Sequence, residues 1–190
     1  MSTRAPESHH SGTLSPEFAI LGFLIGGPSH GYDLHQRFVS ELGNVWHLSQ
    51  SQAYSILKRL EKHGDISARR VSQDGLPARQ VLRITAAGRK RFVHWLESGY
   101  GTNARSIRLE LLTRLYFANH HMPEKAAGIF AAQFAEVNRN IERLRDALGA
   151  LPIERTYNRL SLDLRLRQME LIRQWMREIS RQFHVVEEPS

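Results

Sequence analysis

One stretch in the first third of the chain decides the fold: Ser49-Gln-Ser-Gln-Ala-Tyr-Ser-Ile-Leu-Lys-Arg-Leu-Glu-Lys-His-Gly64. Ser49 followed three residues later by Gln52 is the pattern of a capping box, and Gly64 fits a left-handed cap at the end of a helix. The apolar residues between these ends are Ala53, Ile56, Leu57 and Leu60. Their helical spacing predicts one buried face, whereas the other face is polar and basic. We therefore predict a short amphipathic helix that is anchored in a core on one side.

Two further helices are predicted before this stretch. Ser15-Pro16-Glu17 places a capping residue before a proline, which is typical of the start of a helix. The helix that follows is apolar nearly all round until Gly26-Gly27-Pro28, so we expect it to be buried on several sides. Residues 31–42 show a second helical pattern with apolar residues on one face.

A small hairpin is predicted after the third helix. Residues 65–71 and 79–84 have the composition of two short strands, and Asp74-Gly75 between them is a strong turn signal. A hairpin of this size does not fold alone, so we expect it to lean on the three helices. Thr85 is the predicted cap of a fourth helix, and residues 98–103 have the composition of a linker.

Positive charge is concentrated around this helix and hairpin. Residues 58–91 contain ten Lys and Arg against three Asp and Glu, an excess of seven that equals the formal net charge of +7 of the whole chain. Such a local excess indicates a nucleic-acid-binding surface, because neutralising phosphates releases condensed counterions. The alternative is a solvated helix surface without a partner.

Overall composition is that of a globular protein. The 190 residues are 41% hydrophobic and 24% charged, which suits one or two domains. The chain has no Cys, so disulfides and thiolate chemistry are excluded, and this fits a reducing cytoplasm. The longest apolar run, residues 18–27, is about half the length that a membrane-spanning helix needs. We therefore expect a soluble cytoplasmic protein without a membrane partner.

The second half of the chain predicts helices only, over residues 107–120, 123–148 and 154–183. The last helix carries two apolar stripes. One consists of Leu160, Leu164, Leu171 and Trp175, and the other of Leu162, Leu166, Met169, Ile172, Met176, Ile179 and Phe183. One stripe can pack on the preceding helix, and a second subunit best explains the other. The alternative is a three-helix core within one chain that uses both stripes.

Three segments resemble the PadR-like transcriptional regulators, in the order and spacing of that family. They are Ile20-Leu-Gly-Phe-Leu-Ile-Gly-Gly-Pro-Ser-His-Gly-Tyr-Asp-Leu34, Tyr54-Ser-Ile-Leu-Lys-Arg-Leu-Glu-Lys-His-Gly64 and Leu82-Arg-Ile-Thr-Ala-Ala-Gly88. Leu111-Leu-Thr-Arg-Leu-Tyr-Phe-Ala118 is similar to the C-terminal domain of the family's larger subgroup. Asp65 and Val81 depart from the family pattern, which usually has an apolar and an aromatic residue at these positions.

The resemblance implies a mainly α fold, with an N-terminal winged helix-turn-helix domain that has a small two-stranded wing, followed by a C-terminal helical dimerisation domain. The corresponding division of the chain is a tail at 1–13, the DNA-binding domain at 14–98, a linker at 99–103, the dimerisation domain at 104–184 and a tail at 185–190. It also implies a homodimer that binds a palindromic operator in double-stranded DNA and acts as a repressor.

Candidate site residues follow from the helix, the hairpin and the resemblance together. The predicted DNA-binding residues are Ser49, Gln50, Ser51, Gln52, Tyr54, Ser55, Lys58, Lys62, Arg69, Arg70 and Arg79. The predicted dimerisation residues are Phe18, Leu21, Leu162, Leu166, Met169, Ile172, Met176, Ile179 and Phe183. Side chains near the start of the helix can reach base edges, whereas the cations can contact phosphates.

Two other functions stay open. A small apolar effector could bind among His120, Phe130, Phe134 and Trp175 and release the protein from DNA, although packing explains each of these residues better. A protein-interaction adaptor built on the helical half would leave the clustered charge unexplained. An enzyme is not expected, because the sequence has no phosphate-binding loop, nucleophile elbow or His-Glu-x-x-His pattern, and we predict no catalytic residues, metal site or cofactor.

Overall fold

The chain folds into helices and one small antiparallel sheet. The computed structural model describes residues 14–73 and 76–183; for residues 71–73 and 76–79 it describes the backbone only. In chain order the elements are α1 (Glu17–Ile25), β1 (Ser29–His30), α2 (Gly31–Leu42), α3 (Gln50–Lys62), β2 (Ile66–Gln73), β3 (Leu76–Ile84), α4 (Ala86–Glu97), α5 (Ala104–Ser106), a π-helical turn (Ile107–Leu111), α6 (Leu112–His121), α7 (Pro123–Ala150), α8 (Thr156–Ile179) and a 3-10 turn (Ser180–Phe183). The predicted Asp74-Gly75 turn and the tails lie outside the described residues.

Helix α1 lies at the centre of the N-terminal core, as its apolar sequence predicts. All residues from 19 to 24 are buried. The helix begins at Glu17, whose backbone N–H donates to the hydroxyl of Ser15 over 3.4 Å. A Cβ atom on Gly22 would lie 2.7 Å from the ring of Phe117, so the glycine allows α6 to pack directly on α1.

Helices α2 and α3 form a helix-turn-helix. The face of α2 that carries Leu34, Phe38 and Leu42 is buried. In the turn, the His35 ring donates through Nε2 to the backbone carbonyl of Leu48 over 3.0 Å, which ties α2 to the start of α3.

The sheet has three strands rather than the two that the sequence predicts. Strands β2 and β3 pair antiparallel with Ile66 opposite Ile84, and β1 pairs with β3 on its other side. The ring of His30 also bonds through Nδ1 to the Gln80 carbonyl over 3.1 Å. A strand of two residues has no alternation of polar and apolar positions, so no sequence pattern indicated β1.

The start of α4 is fastened to the end of α3. Thr85 is the N-cap, as predicted: its hydroxyl accepts a hydrogen bond from the Gly88 backbone N–H and donates to the Gly64 carbonyl over 2.6 Å. Gly64 adopts a left-handed conformation with φ of 75°, which the sequence also predicts. These contacts place the hairpin against the three helices.

The C-terminal helices begin by completing the N-terminal core. Phe117 of α6 contacts the rings of Phe23 and Phe92, and the Trp46 indole donates to the Thr113 hydroxyl over 2.7 Å. Helices α7 and α8 then form an antiparallel pair, and the connection between them contains the predicted break at residues 151–152. The proposed boundary between the domains stays a prediction. None of the helices described here is both long and apolar enough to span a membrane.

The two apolar stripes of α8 face opposite ways, and the predicted dimerisation stripe is the less exposed of the two. Met169 and Met176 of the predicted dimerisation stripe are buried within the chain, against α7. Leu21 of α1 is likewise fully buried in the N-terminal core, so these three residues do not lie on the surface of the chain, and their role in dimerisation stays a prediction. The remaining members of that set, Phe18, Leu162, Leu166, Ile172, Ile179 and Phe183, are half-buried. The exposed stripe is Leu160, Leu164 and Leu171.

Candidate nucleic-acid interface

The polar face of α3 is open to solvent along its length. Its exposed side chains are Gln50, Ser51, Gln52, Tyr54, Ser55, Lys58 and Lys62. On the other side, the four predicted apolar residues are buried. A helix with this division presents one continuous surface of hydrogen-bonding and cationic groups, and its width fits a major groove.

A capping box holds the start of this helix, as predicted. The Ser49 hydroxyl accepts the backbone N–H of Gln52 over 3.3 Å, and Oε1 of Gln52 accepts the backbone N–H of Ser49 over 2.9 Å. Two of the predicted DNA-binding side chains are therefore partly engaged in holding the helix end. The side chains of Gln50 and Tyr54 make no such cap contact and remain available.

Tyr54 lies where α3 meets the start of α2. A Cβ atom on Gly31 would lie 3.0 Å from Cε1 of Tyr54, so the ring packs closely over that glycine. The side chain is nevertheless 41% exposed. Close packing on one edge restricts the ring, while the open part can contact a partner.

The wing carries exposed cations on both of its faces. Arg69 and Arg70 are successive residues of β2, so they point to opposite sides, and both are exposed. Arg83 of β3 is also exposed and lies opposite Ser67, on the same face as Arg69. Arg83 contributes to the basic excess of residues 58–91, but the sequence alone does not single it out, because strand register is needed to place it beside Arg69. The side chain of Arg79 lies outside the described part.

Not all cations of the basic region are available to a partner. Arg59 forms an ion pair with Glu17 over 2.9 Å, and Arg91 pairs with both Glu17 and Asp65. Asp65 is buried at a position where the resembling family usually has an apolar residue. The ion pair with Arg91 compensates the buried carboxylate and explains how it can stand there. Within the part of the chain that the structure describes, Lys58, Lys62, Arg69, Arg70, Arg83, Arg89 and Lys90 have no ion pair.

The residues predicted to line an effector pocket fall into separate surroundings. His120 is exposed and contacts the Tyr116 ring at a tilt of 30°, whereas Phe130 is buried and stacks on Phe134 and Phe183. Two open cavities of about 390 and 470 Å³ lie elsewhere, beside Leu160 on α8 and beside Val93 on α4. Neither is lined by the predicted residues, and the effector pocket stays a prediction. The described residues contain no cluster of three metal-ligating side chains.

The three-helix unit, the exposed face of α3 and the basic wing define a winged helix-turn-helix protein. Residues 20–94 of the chain match the model of the transcriptional regulator PadR-like family. This match confirms the resemblance that the sequence motifs indicated.

Two relatives and one crystal structure are similar to this chain. The chain is 27% identical over 135 residues to the negative transcriptional regulator PadR of Bacillus subtilis. The aligned residues are 71% of this chain and 74% of that protein. The chain is 33% identical over 78 residues to the probable transcriptional regulator Rv1176c of Mycobacterium tuberculosis, or 41% of each chain. The crystal structure of Bacillus subtilis PadR in complex with operator DNA matches with a TM-score of 0.44 and 23% identity, covering 88% of this chain and 98% of that one.

Proposed function

We propose that the protein is a repressor that binds a palindromic operator as a homodimer. The observation that carries this proposal is the open polar face of α3, which continues into a wing whose described cations have no ion pair. A surface of unpaired cations attracts phosphates, and a polar helix held firmly at its start can present side chains to base edges. The name of the Bacillus subtilis relative, a negative regulator, supports repression rather than activation.

The surface divides into two roles. Gln50, Ser51 and Tyr54, near the start of α3, are proposed to contact base edges, because the N-terminal part of a recognition helix enters the major groove most deeply. Lys58 and Lys62 are proposed to contact phosphates. The wing cations Arg69, Arg70, Arg79 and Arg83 are assigned to the DNA backbone in the same way. Ser49 and Gln52 act chiefly by holding the helix end.

The homodimer is proposed to form through the exposed stripe of α8. Leu160, Leu164 and Leu171 are between 58% and 67% exposed, and all three lie on one side of the helix by its periodicity. A stripe of large apolar side chains that the chain itself leaves uncovered is best buried by a second copy of the same stripe. Such a dimer would place two α3 helices in successive major grooves, roughly 34 Å apart.

Binding measurements on matched variants test the DNA interface. Footprinting on DNA upstream of the protein's own coding region supplies an operator for fluorescence anisotropy. Tyr54→Ala should weaken operator binding by about 1–3 kcal/mol and leave non-specific duplex binding almost unchanged. Lys58→Ala should weaken both duplexes alike and reduce the salt slope by about 1. Arg165→Ala removes an exposed charge from α8 and should change neither.

Two results would contradict the proposal. One is a wild-type protein that does not bind duplex DNA even at low salt. The other is equal affinity of the wild-type protein, Tyr54→Ala and Lys58→Ala for the operator, with circular dichroism showing that all three are folded.

A further inference from the structure

A buried arginine of α6 holds the end of α4 and the segment that follows it. The guanidinium of Arg114 donates to the backbone carbonyls of Trp95, Leu96, Ser98 and Gly99. The group also lies over the rings of Trp95 and Tyr100, with 4.6 and 5.1 Å to their centroids. The last carbonyls of a helix have no partner within the helix, so Arg114 supplies these missing donors from another element.

The charge of Arg114 is buried and is compensated by neighbouring groups. Its side chain is only 2% exposed, and Glu110 on the preceding turn forms an ion pair with it over 3.6 Å. Burial lowers the pKa of the Arg114 guanidinium and raises the pKa of the Glu110 carboxyl. Arginine remains charged in proteins, so the carbonyls and the carboxylate compensate a desolvated cation.

Two amides of α7 hold the rest of the same segment. Gln133 donates to the Gly101 carbonyl over 2.9 Å, and Asn140 donates to the Thr102 carbonyl over 2.8 Å. Both side chains are buried, and they lie seven residues apart, on one side of the helix. Buried amides of this kind form hydrogen bonds that are costly to leave unmade.

The segment 98–103 is therefore fixed, although its composition predicts a flexible linker. We propose that Arg114, Gln133 and Asn140, here called the linker clamp, set the distance between the two half-sites that the dimer accepts. This inference rests on the proposed function and adds to it a set of positioning residues that touch no DNA.

The linker clamp is connected to the recognition helix through packed elements. Helix α4 packs on α1, and α1 packs on α3, so the orientation of the recognition helix follows that of α4. The linker clamp fixes the end of α4 to α6 and α7, and α7 packs along α8, which carries the proposed dimer stripe. Because α6 also packs on α1, loosening the clamp would let α7 and α8 shift relative to α6 and the winged domain. The two recognition helices would then no longer be held at one distance.

Operators with altered spacing separate this role from a merely structural one. The test variant is Gln133→Leu/Asn140→Leu, which removes both amide donors at similar volume. The matched control is Asn138→Leu, on the same helix, because the structure gives the Asn138 side chain no hydrogen bond. The duplexes carry the footprinted half-sites moved together or apart by one to four base pairs.

The wild-type protein and the control should lose on the order of tenfold or more in affinity when the spacing is wrong, since both half-sites can no longer be held at once. The double variant should keep its affinity for a single half-site and vary within about threefold across the spacings. An unchanged spacing profile in a folded double variant would overturn the proposal. A stabilising role alone would lower thermal stability without changing this profile.

Limited proteolysis gives a second readout that does not depend on DNA. In the double variant a non-specific protease should cleave within residues 98–103 faster by about tenfold or more, whereas the control should resemble the wild-type protein. Equal cleavage of all three proteins would overturn the linker clamp even if DNA binding is intact. Failure of the wild-type protein to bind DNA would contradict the proposed function instead. If the double variant does not fold, Asn140→Leu, which releases one carbonyl, is measured in the same two experiments.

Discussion

Gly88 decides how closely α4 approaches the start of the wing. A Cβ atom at this position would overlap the backbone carbonyl oxygen of Asp65, which also accepts the Thr85 backbone N–H over 2.9 Å. Glycine in a helix costs about 1 kcal/mol relative to alanine, so helix propensity alone disfavours it here. At the residue scale, the close contact between two backbone segments explains the glycine in the Thr-Ala-Ala-Gly sequence.

A pair of glycine substitutions tests this explanation. Gly88→Ala should lower the free energy of unfolding by roughly 1–3 kcal/mol or more, because rigid backbone must move to admit the methyl group. Gly128→Ala, in the second turn of α7 with open space around it, should raise the free energy of unfolding by about 0.4–1 kcal/mol. Urea unfolding at constant pH measures both. Similar effects of the two substitutions would show that Gly88 is not held by the Asp65 backbone.

At the scale of elements, α6 belongs to the N-terminal core as much as to the helices that follow it. His121 near its end donates through Nε2 to the Gly22 carbonyl of α1 over 3.1 Å and stacks on Phe117. Burial lowers the pKa of His121; the hydrogen bond to Gly22 opposes this shift, and His120, Arg37 and Arg89 add to it. The contact between α6 and α1 therefore includes the His121 imidazole, and the folded protein favours its neutral form over its charged form.

This contact predicts a loss of stability in acid. Since the pKa of His121 is lower in the folded protein than its ordinary value of 6.5, the unfolded chain takes up the proton first as the pH falls. The contribution of the His121 contact to stability is complete above pH 6.5, and it decreases as the pH falls from there towards the pKa of the folded state. His121→Gln keeps a donor for Gly22 and should reduce the fall in unfolding free energy between about pH 7.5 and 5.5.

The matched control for this prediction is His47→Gln, because His47 is exposed. Urea midpoints of the wild-type protein, His121→Gln and His47→Gln are compared across the same pH range. If His121→Gln loses as much stability in acid as the wild-type protein, another group is responsible for the pH dependence.

At the scale of the whole molecule, α8 has two apolar sides with different surroundings. One side carries Met169 and Met176 and is covered by α7 of the same chain. The other side is open and carries Leu160, Leu164 and Leu171. The same helix can therefore complete a core within one protomer and join two protomers.

Charge substitutions on the open side should separate the two protomers. Burying a leucine contributes about 1.5–3 kcal/mol, and a symmetric dimer buries each position twice, so Leu164→Lys should weaken the dimer by roughly 3–6 kcal/mol. Leu171→Lys should act in the same direction. Sedimentation equilibrium at micromolar concentration measures the change from dimer to monomer.

Asn158→Lys is the control for these variants, since Asn158 is exposed on the other side of α8. It should stay dimeric, and circular dichroism should show the same helix content in all variants. A dimer that persists in both leucine variants would place the interface elsewhere, and a monomeric wild-type protein would contradict the proposed assembly.

The features that the sequence determined by itself depend on neighbours along the chain. The capping box of Ser49 and Gln52, the left-handed Gly64 and the Thr85 cap follow from local hydrogen bonding and backbone sterics, so their residue types were sufficient to predict them. Helix periodicity likewise predicted the buried face of α3. The exposed polar face, which is the candidate interface, could be predicted for the same reason.

Only the tertiary structure decided the features that join residues distant in sequence. Periodicity shows that α8 has two apolar stripes, but both satisfy the same spacing, and which one faces α7 depends on how the helices pack. The short strand β1, the pairing of buried Asp65 with Arg91, and the position of Arg83 beside Arg69 depend on contacts across the fold. The linker clamp belongs with them. Composition describes the conformational freedom of an isolated segment, whereas Arg114, Gln133 and Asn140, which lie on other helices, restrict the segment through hydrogen bonds to its carbonyls.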